Sequence, residues 1–178
     1  MRSLLAASCL ALGLFMSAPQ YAAAYNPAAD KQQIEAIVES FRMAIINKDQ
    51  DSFMKLFLHE DITWSGVMTD GSIDRYHASL KDPKAKRPPK YFVGKPRKFI
   101  EGIAKSADRT EETFDSVHID SDGDVAQVWF DYTFVRDGYK QNWGKESWQM
   151  VRTETGWKIA AVIWSMEENQ VPPPPKQK

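Results

Sequence analysis

Cysteine is almost missing from this chain. Cys9 is the only one in 178 residues, and it lies inside an N-terminal apolar run. The domain that follows therefore has no disulfide, no thiol nucleophile and no thiolate metal site. Histidine is scarce as well. His59, His77 and His118 stand far apart, with no metal-ligand spacing among them, so the sequence calls for no metal. It holds no glycine-rich phosphate cradle and no serine-nucleophile elbow, and no cofactor is predicted. The single long apolar stretch, Leu4 to Met16, is too short to cross a bilayer, so the chain reads as not membrane-spanning. Outside the basic segment Lys81 to Lys98 the chain is acidic, which together with export speaks against a nucleic-acid partner.

The ends carry signals of their own. Arg2, the apolar run and Ala22-Ala23-Ala24 form an export leader, residues 1–24, with cleavage predicted after about Ala24. A lipid anchor on Cys9 fits poorly, because Ala-Ala-Ser precedes it and the apolar run would be cut in half. The mature protein is then periplasmic or secreted, and export without disulfides fits a bacterial periplasm. Residues 25–29 are predicted to be flexible. At the other end Val171-Pro-Pro-Pro-Pro-Lys-Gln-Lys178 can extend neither helix nor strand, so residues 169–178 read as a disordered tail. One domain remains, residues 30–168.

Within it, Asp30 reads as an N-cap with Gln33 completing a capping box. Ile34, Ile37, Val38, Phe41, Ala44 and Ile45 recur at helical spacing behind it. Asp49 or Asp51 caps a shorter helix carrying Phe53 and Phe57. Ile62 to Ser65 reads as a strand, Ser72 as a further cap, and Pro96 as the start of a third helix. Strands follow at Glu112–Ile119 and from Asp124 to Val135. Turn signals at Arg136-Asp137-Gly138 and Thr155-Gly156 then separate strands at Glu146–Arg152 and Trp157–Ser165. Asp120-x-Asp122-Gly-Asp124 is a hairpin turn, not a calcium loop, since its glycine is misplaced. The predicted class is α+β, with a curved antiparallel sheet wrapped around N-terminal helices and a cone-shaped internal pocket.

The order of elements, with Phe41 to Asp49, Phe53 to Asp61, Gly123-Asp-Val-Ala-Gln-Val and Gly156-Trp-Lys-Ile-Ala, resembles the nuclear transport factor 2-like superfamily. That group includes the polyketide-cyclase-like (SnoaL-like) proteins and ketosteroid isomerase. Asn142-Trp-Gly-Lys-Glu-Ser-Trp-Gln149 looks like an exported bacterial branch of it. The resemblance implies the fold and leaves the function open. The isomerase's catalytic positions fall at about Ser65, Phe41 and Gln149, and none keeps the group that the reaction needs.

Alternation places Ala126, Val128, Phe130, Tyr132 and Phe134 on one face, and Gln127, Trp129, Asp131 and Thr133 on the other. By analogy with the family, Gln149, Val151, Ala160, Val162 and Trp164 join the first face. The candidate ligand-binding residues are Phe130, Tyr132, Phe134, Gln149, Val162 and Trp164. The same side chains would also serve a closed core. Trp129 and Trp148 are predicted on the outer face, where they would support a homodimer.

His59-Glu60-Asp61 could supply a base, though it also reads as ordinary helix-end polarity. Lys81 to Lys98 holds eight basic residues against Asp82, either to steer an anion or as a solvated loop. The leading functional expectation is an exported module that binds a small apolar molecule. The alternatives are a cofactor-independent lyase, hydratase or isomerase in the same pocket, and a protein-interaction module using the outer face.

Overall fold

The computed structural model describes residues 26–82 and 84–175. The predicted leader, Tyr25 of the predicted flexible stretch, Pro83 and the last three tail residues lie outside them. Helix α1 (Pro27–Asn47) starts earlier than predicted. The Asn26 side chain accepts from the Ala29 N–H at 3.2 Å, and Pro27 opens the first turn, where its fixed φ and missing N–H cost nothing. Residues 27–29 are thus helical rather than flexible. Asp30 is not the cap. It is buried in the first turn and ion-pairs with Arg152, which also lies over the Trp157 ring. Ile34, Val38, Phe41 and Ile45 form the buried stripe.

Asp49 caps α2 (Gln50–Met54), accepting from the Ser52 N–H at 2.9 Å. Strand β1 (Thr63–Met68) and helix α3 (Asp70–Ser79) follow. Thr69, not Ser72, caps α3. The Ser72 hydroxyl instead accepts from the Glu168 N–H at 2.8 Å and ties the helix to the last strand. The proline-rich basic segment contains a short strand that the sequence does not reveal, β2 (Tyr91–Val93), before α4 (Pro96–Lys105). Gly66 permits that pairing: a Cβ there would sit 2.2 Å from the Phe92 ring.

Strands β3 (Thr110–Ser121), β4 (Val125–Arg136), β5 (Tyr139–Thr153) and β6 (Gly156–Glu168) form a meander. The six-stranded sheet runs β2-β1-β6-β5-β4-β3, antiparallel except where β1 lies parallel to β6. Asp137 and Gly138, both at positive φ (49° and 78°), make the tight turn between β4 and β5. Irregularities interrupt β3 between Asp115 and His118, the β4–β5 pair after Phe134, and the β5–β6 pair after Gln149. Such bulges bend strands, and here they accompany a sheet curved around α1. This is the predicted α+β class.

Burial on β4 follows the expected alternation, with Ala126, Val128, Phe130, Tyr132 and Phe134 inside. Strand β5 has the opposite parity to that expected. Glu146, Trp148 and Met150 are buried, whereas Gln149 is exposed on the outer face. Burying Trp148 and Met150 removes far more apolar surface than burying Gln149 and Val151, and a one-residue choice flips the whole strand. Trp148 is therefore a core residue and does not contribute to the outer face. That face carries Trp129 (42% exposed) and Ile163 (52%), on either side of Ser147 in the sheet.

On β6 the irregularity changes which residues point inward. Trp157 and Ile159 are buried before it and Val162 after it, and Ala160 is displaced. The core is an aromatic stack. Phe41 lies 4.8 Å from Phe53 and 4.9 Å from Trp148, and Phe114 lies 4.7 Å from Phe130, centroid to centroid.

Candidate functional site

The concave face is not filled along its whole length. Beyond the Phe41–Trp148 stack a cavity of about 240 Å³ opens between the helices and the sheet. Its wall is largely aromatic: Phe41 from α1, Trp64 from β1, Phe92 from β2, Phe99 from α4, Phe134 from β4 and Trp164 from β6. Trp164 packs against Trp64 at 5.4 Å and Phe92 at 5.5 Å.

Backbone geometry helps to open this space. Tyr132 on β4 lies opposite Gly144 on β5, so its neighbour projects no side chain. Gly144 is required there. A Cβ would sit 2.0 Å from the Ser165 carbonyl oxygen, where β5 and β6 come close. The Tyr132 hydroxyl donates to that same carbonyl at 3.0 Å. Ser165 Oγ in turn accepts from the Lys145 N–H at 3.0 Å.

Two glutamates flank Tyr132. In the sheet, Glu112 pairs with Phe134 on one side of it, and Glu146 pairs with Phe130 on the other. Both line the cavity, and each is only 4% exposed. Glu146 Oε1 accepts from the Trp148 indole N–H at 2.6 Å. Burial raises the Glu146 carboxyl to about 7, with the indole bond pulling the other way. Burial pushes Glu112 well above the ordinary carboxylate range, and the neighbouring charge of Glu146 raises it further. Burial and then the two glutamates also keep the Tyr132 phenol protonated.

Both shifts favour proton uptake by the pair. Burial and the charge of Glu146 favour the neutral form of Glu112, while Glu146, raised to about 7, is poised between acid and base. Paired carboxylates whose surroundings separate their protonation are the usual equipment of acid–base catalysis.

The sequence-derived site residues divide three ways. Tyr132, Phe134 and Trp164 line the cavity. Phe130 and Val162 belong to the closed core beside it. Gln149 lies on the far side of the sheet, paired with Gln127. Ser65, at the position resembling the isomerase base, is buried and lies 3.3 Å from the Tyr91 hydroxyl.

Glu112 and Glu146 were not among the candidates. The signal for Glu112 is its parity with Phe114, and for Glu146 its parity with Trp148 and Met150. The His59 cluster does not line the cavity. His59 Nδ1 accepts from the Asp61 N–H at 3.2 Å, while Glu60 and Asp61 pair with Arg97 and Lys95. Further along the basic segment, Lys90 and Arg87 pair with Asp70, and Arg87 with Asp74. Much of its charge is thus matched within the domain.

Among the described residues no three His, Cys, Asp or Glu side chains are grouped to hold a metal ion. No described helix is long and apolar enough to cross a membrane.

No protein-family model matches this chain, and no curated protein matches it in sequence. Solved structures do match. A nuclear transport factor 2-like protein of unknown function from Shewanella baltica superposes with a TM-score of 0.56 at 13% identity. The match covers 82% of this chain and 99% of that one. A nuclear transport factor 2-like protein with a cystatin-like fold from Novosphingobium aromaticivorans gives 0.55 at 14% identity, covering 78% and 82%. A candidate dehydratase of the same family from Streptomyces avermitilis gives 0.53 at 18% identity, covering 79% and 97%. With helices cradled in a curved six-stranded sheet and these structural counterparts, the chain has the nuclear transport factor 2-like fold.

Proposed function

We propose that this protein is a cofactor-independent acid–base catalyst, a lyase, hydratase or isomerase, acting on a small and largely apolar molecule held in the cavity. The observation that carries this reading is the buried Glu112–Glu146 pair beside Tyr132. Glu146 is the base, since a carboxyl raised to about 7 is half-ionised at neutral pH and strongly basic for its class. Glu112 is the acid that returns a proton to the substrate. Tyr132 is fixed by its bond to the Ser165 carbonyl and shapes the floor between them. In this reading the leader-like first residues carry the domain out of the cytoplasm. The candidate dehydratase among the structural counterparts supports the reaction class by analogy.

The test uses 5-nitrobenzisoxazole, a flat neutral probe. A base removes its ring C–H proton, the N–O bond breaks, and a nitrile-bearing nitrophenolate is released. The wild-type protein should accelerate this opening with a base titrating near pH 7. Glu146→Gln keeps an acceptor for Trp148 and should lose roughly 100-fold or more. Turnover no faster than with free carboxylate, or undiminished in a folded Glu146→Gln variant, overturns the assignment.

A second reading, a binding module for a small apolar molecule, is favoured by the aromatic wall alone. Native mass spectrometry of protein purified from its source distinguishes it. A retained molecule in a protein without Glu146-dependent turnover would select the binding module.

A further inference from the structure

The outer end of the cavity differs chemically from its middle. Arg136 continues the inward parity of β4, two residues beyond Phe134. Its guanidinium carbon lies 5.5 Å from the Phe134 ring centroid, which orients the cation along the cavity wall. Its Nε is buried and has no hydrogen-bond partner, and among the described residues Arg136 takes part in no ion pair. Glu112, one pleat further in, makes no ion pair with it, and burial pushes that carboxyl toward its neutral form.

Gln141 is the extra residue where the β4–β5 pairing shifts, and it lines the same wall. Among the described residues its Oε1 is buried without a partner, but that atom is an acceptor and calls for a donor, so it does not itself hold an anion. Buried polar atoms in folded proteins are nearly always satisfied, so the orphaned N–H of the Arg136 cation marks where an acceptor group of a ligand belongs. Arg136 and Gln141 also border a wider surface groove of about 630 Å³, which leads outward past Tyr139 and Asn169. Asp137 and Glu168 stand on that groove. They repel an anion placed further out, leaving Arg136 as the favourable position.

We propose that the molecule taken by this cavity is a small aromatic carboxylic acid. Its ring lies among Phe99, Phe134 and Trp164, and its carboxylate sits on Arg136, within the wall that Gln141 shares. The inference rests on the cavity being the ligand site, as proposed above. It adds the substrate class and assigns Arg136 the task of fixing the substrate's direction. With the acid group held at the mouth, the ring and the carbon next to it extend toward Glu112 and Glu146.

Isothermal titration calorimetry at pH 7.5 with phenylacetate and its neutral counterpart phenylacetamide tests this. Phenylacetate should bind at least about tenfold more tightly, the effect of a charge-assisted hydrogen bond. Arg136→Gln should erase that preference, weakening the acid far more than the amide, and Arg136→Lys should restore part of it. Added salt should weaken only the acid. Equal affinities, a preference that survives Arg136→Gln, or binding of neither probe to the folded protein overturns the proposal. Should Arg136→Gln fail to fold, the acid–amide comparison and its salt dependence in the wild type still decide. The benzisoxazole reaction needs no carboxylate on its substrate. Turnover without acid preference removes only the Arg136 assignment, and acid preference without turnover removes only the Glu146 assignment.

Discussion

The indole N–H of Trp148 is donated to Glu146 Oε1 at 2.6 Å, from a ring with no exposed surface. The two residues sit two positions apart on one strand face, so a core tryptophan is also the group that moderates the buried carboxyl. Trp148→Phe would keep an aromatic ring in the stack and delete the donor. The Glu146 midpoint should move upward from about 7, since burial then acts unopposed. Carboxyl carbon NMR across pH, on protein labelled at glutamate, reads this directly. A downward or absent shift would refute it.

The pair also sets how stability depends on pH. Both glutamates are protonated more readily in the folded chain than in the unfolded one, where a glutamate titrates near 4.5. The folded state therefore binds the extra protons, and stability is greatest below pH 4.5 as far as these groups are concerned. It falls as pH rises through 7, and further as Glu112 is forced to ionise. Glu146 alone, raised to about 7, accounts for on the order of 3 kcal/mol of that loss. Urea unfolding between pH 5 and 9 should show the decline in wild type. The Glu112→Gln, Glu146→Gln double variant should show a nearly flat profile and be the more stable protein at pH 9.

Tyr132 and Trp164 should respond differently to truncation. Tyr132→Phe removes the donor to the Ser165 carbonyl and should cost about 1 kcal/mol, because a buried acceptor loses its partner. Trp164→Ala enlarges an existing cavity instead of hollowing a filled core. It should cost about 2 kcal/mol, less than the roughly 3–5 kcal/mol typical of closed sites. Thermal unfolding measures both, and phenylacetate binding should weaken only in the second.

Gly144→Ala should be among the most damaging single substitutions. The added methyl meets a backbone oxygen at 2.0 Å, which cannot step aside as a side-chain tip would. The cost should be about 3 kcal/mol or more, with the β5–β6 pairing disturbed beside the cavity. An unchanged melting temperature would show that the two strands separate easily.

Some of this was readable in the residues and some was not. The β4 alternation, the Asp137-Gly138 turn and the apolar spacing of α1 each depend on local chemistry, and the structure reproduces them. The parity of β5 was harder. It carries a buried glutamate and a buried serine beside Trp148, which blurs the contrast between faces. Analogy pointed to Gln149, whereas the burial of Trp148 and Met150 governs. The shifted pairing on β6 has no local mark in Trp157–Ser165, so Ala160 and Val162 fall out of step with simple alternation. The short strand β2 hides in a proline-rich stretch, because its partner, Gly66, is distant in sequence. The Glu112–Glu146 pair exists only once β3, β4 and β5 stand side by side.

The parallel seam between β1 and β6 has a kinetic consequence. The meander from β3 to β6 forms through neighbouring hairpins, each closing a short loop. The seam instead joins segments such as Thr69 and Glu167, which hydrogen-bond across 98 positions. Closing so large a loop carries an entropic penalty that only later contacts offset. Trp64 and Trp164 meet across this seam. The aromatic end of the cavity thus depends on one of the costlier loop closures in the chain, of the same order as the Asp30–Arg152 contact across 122 positions.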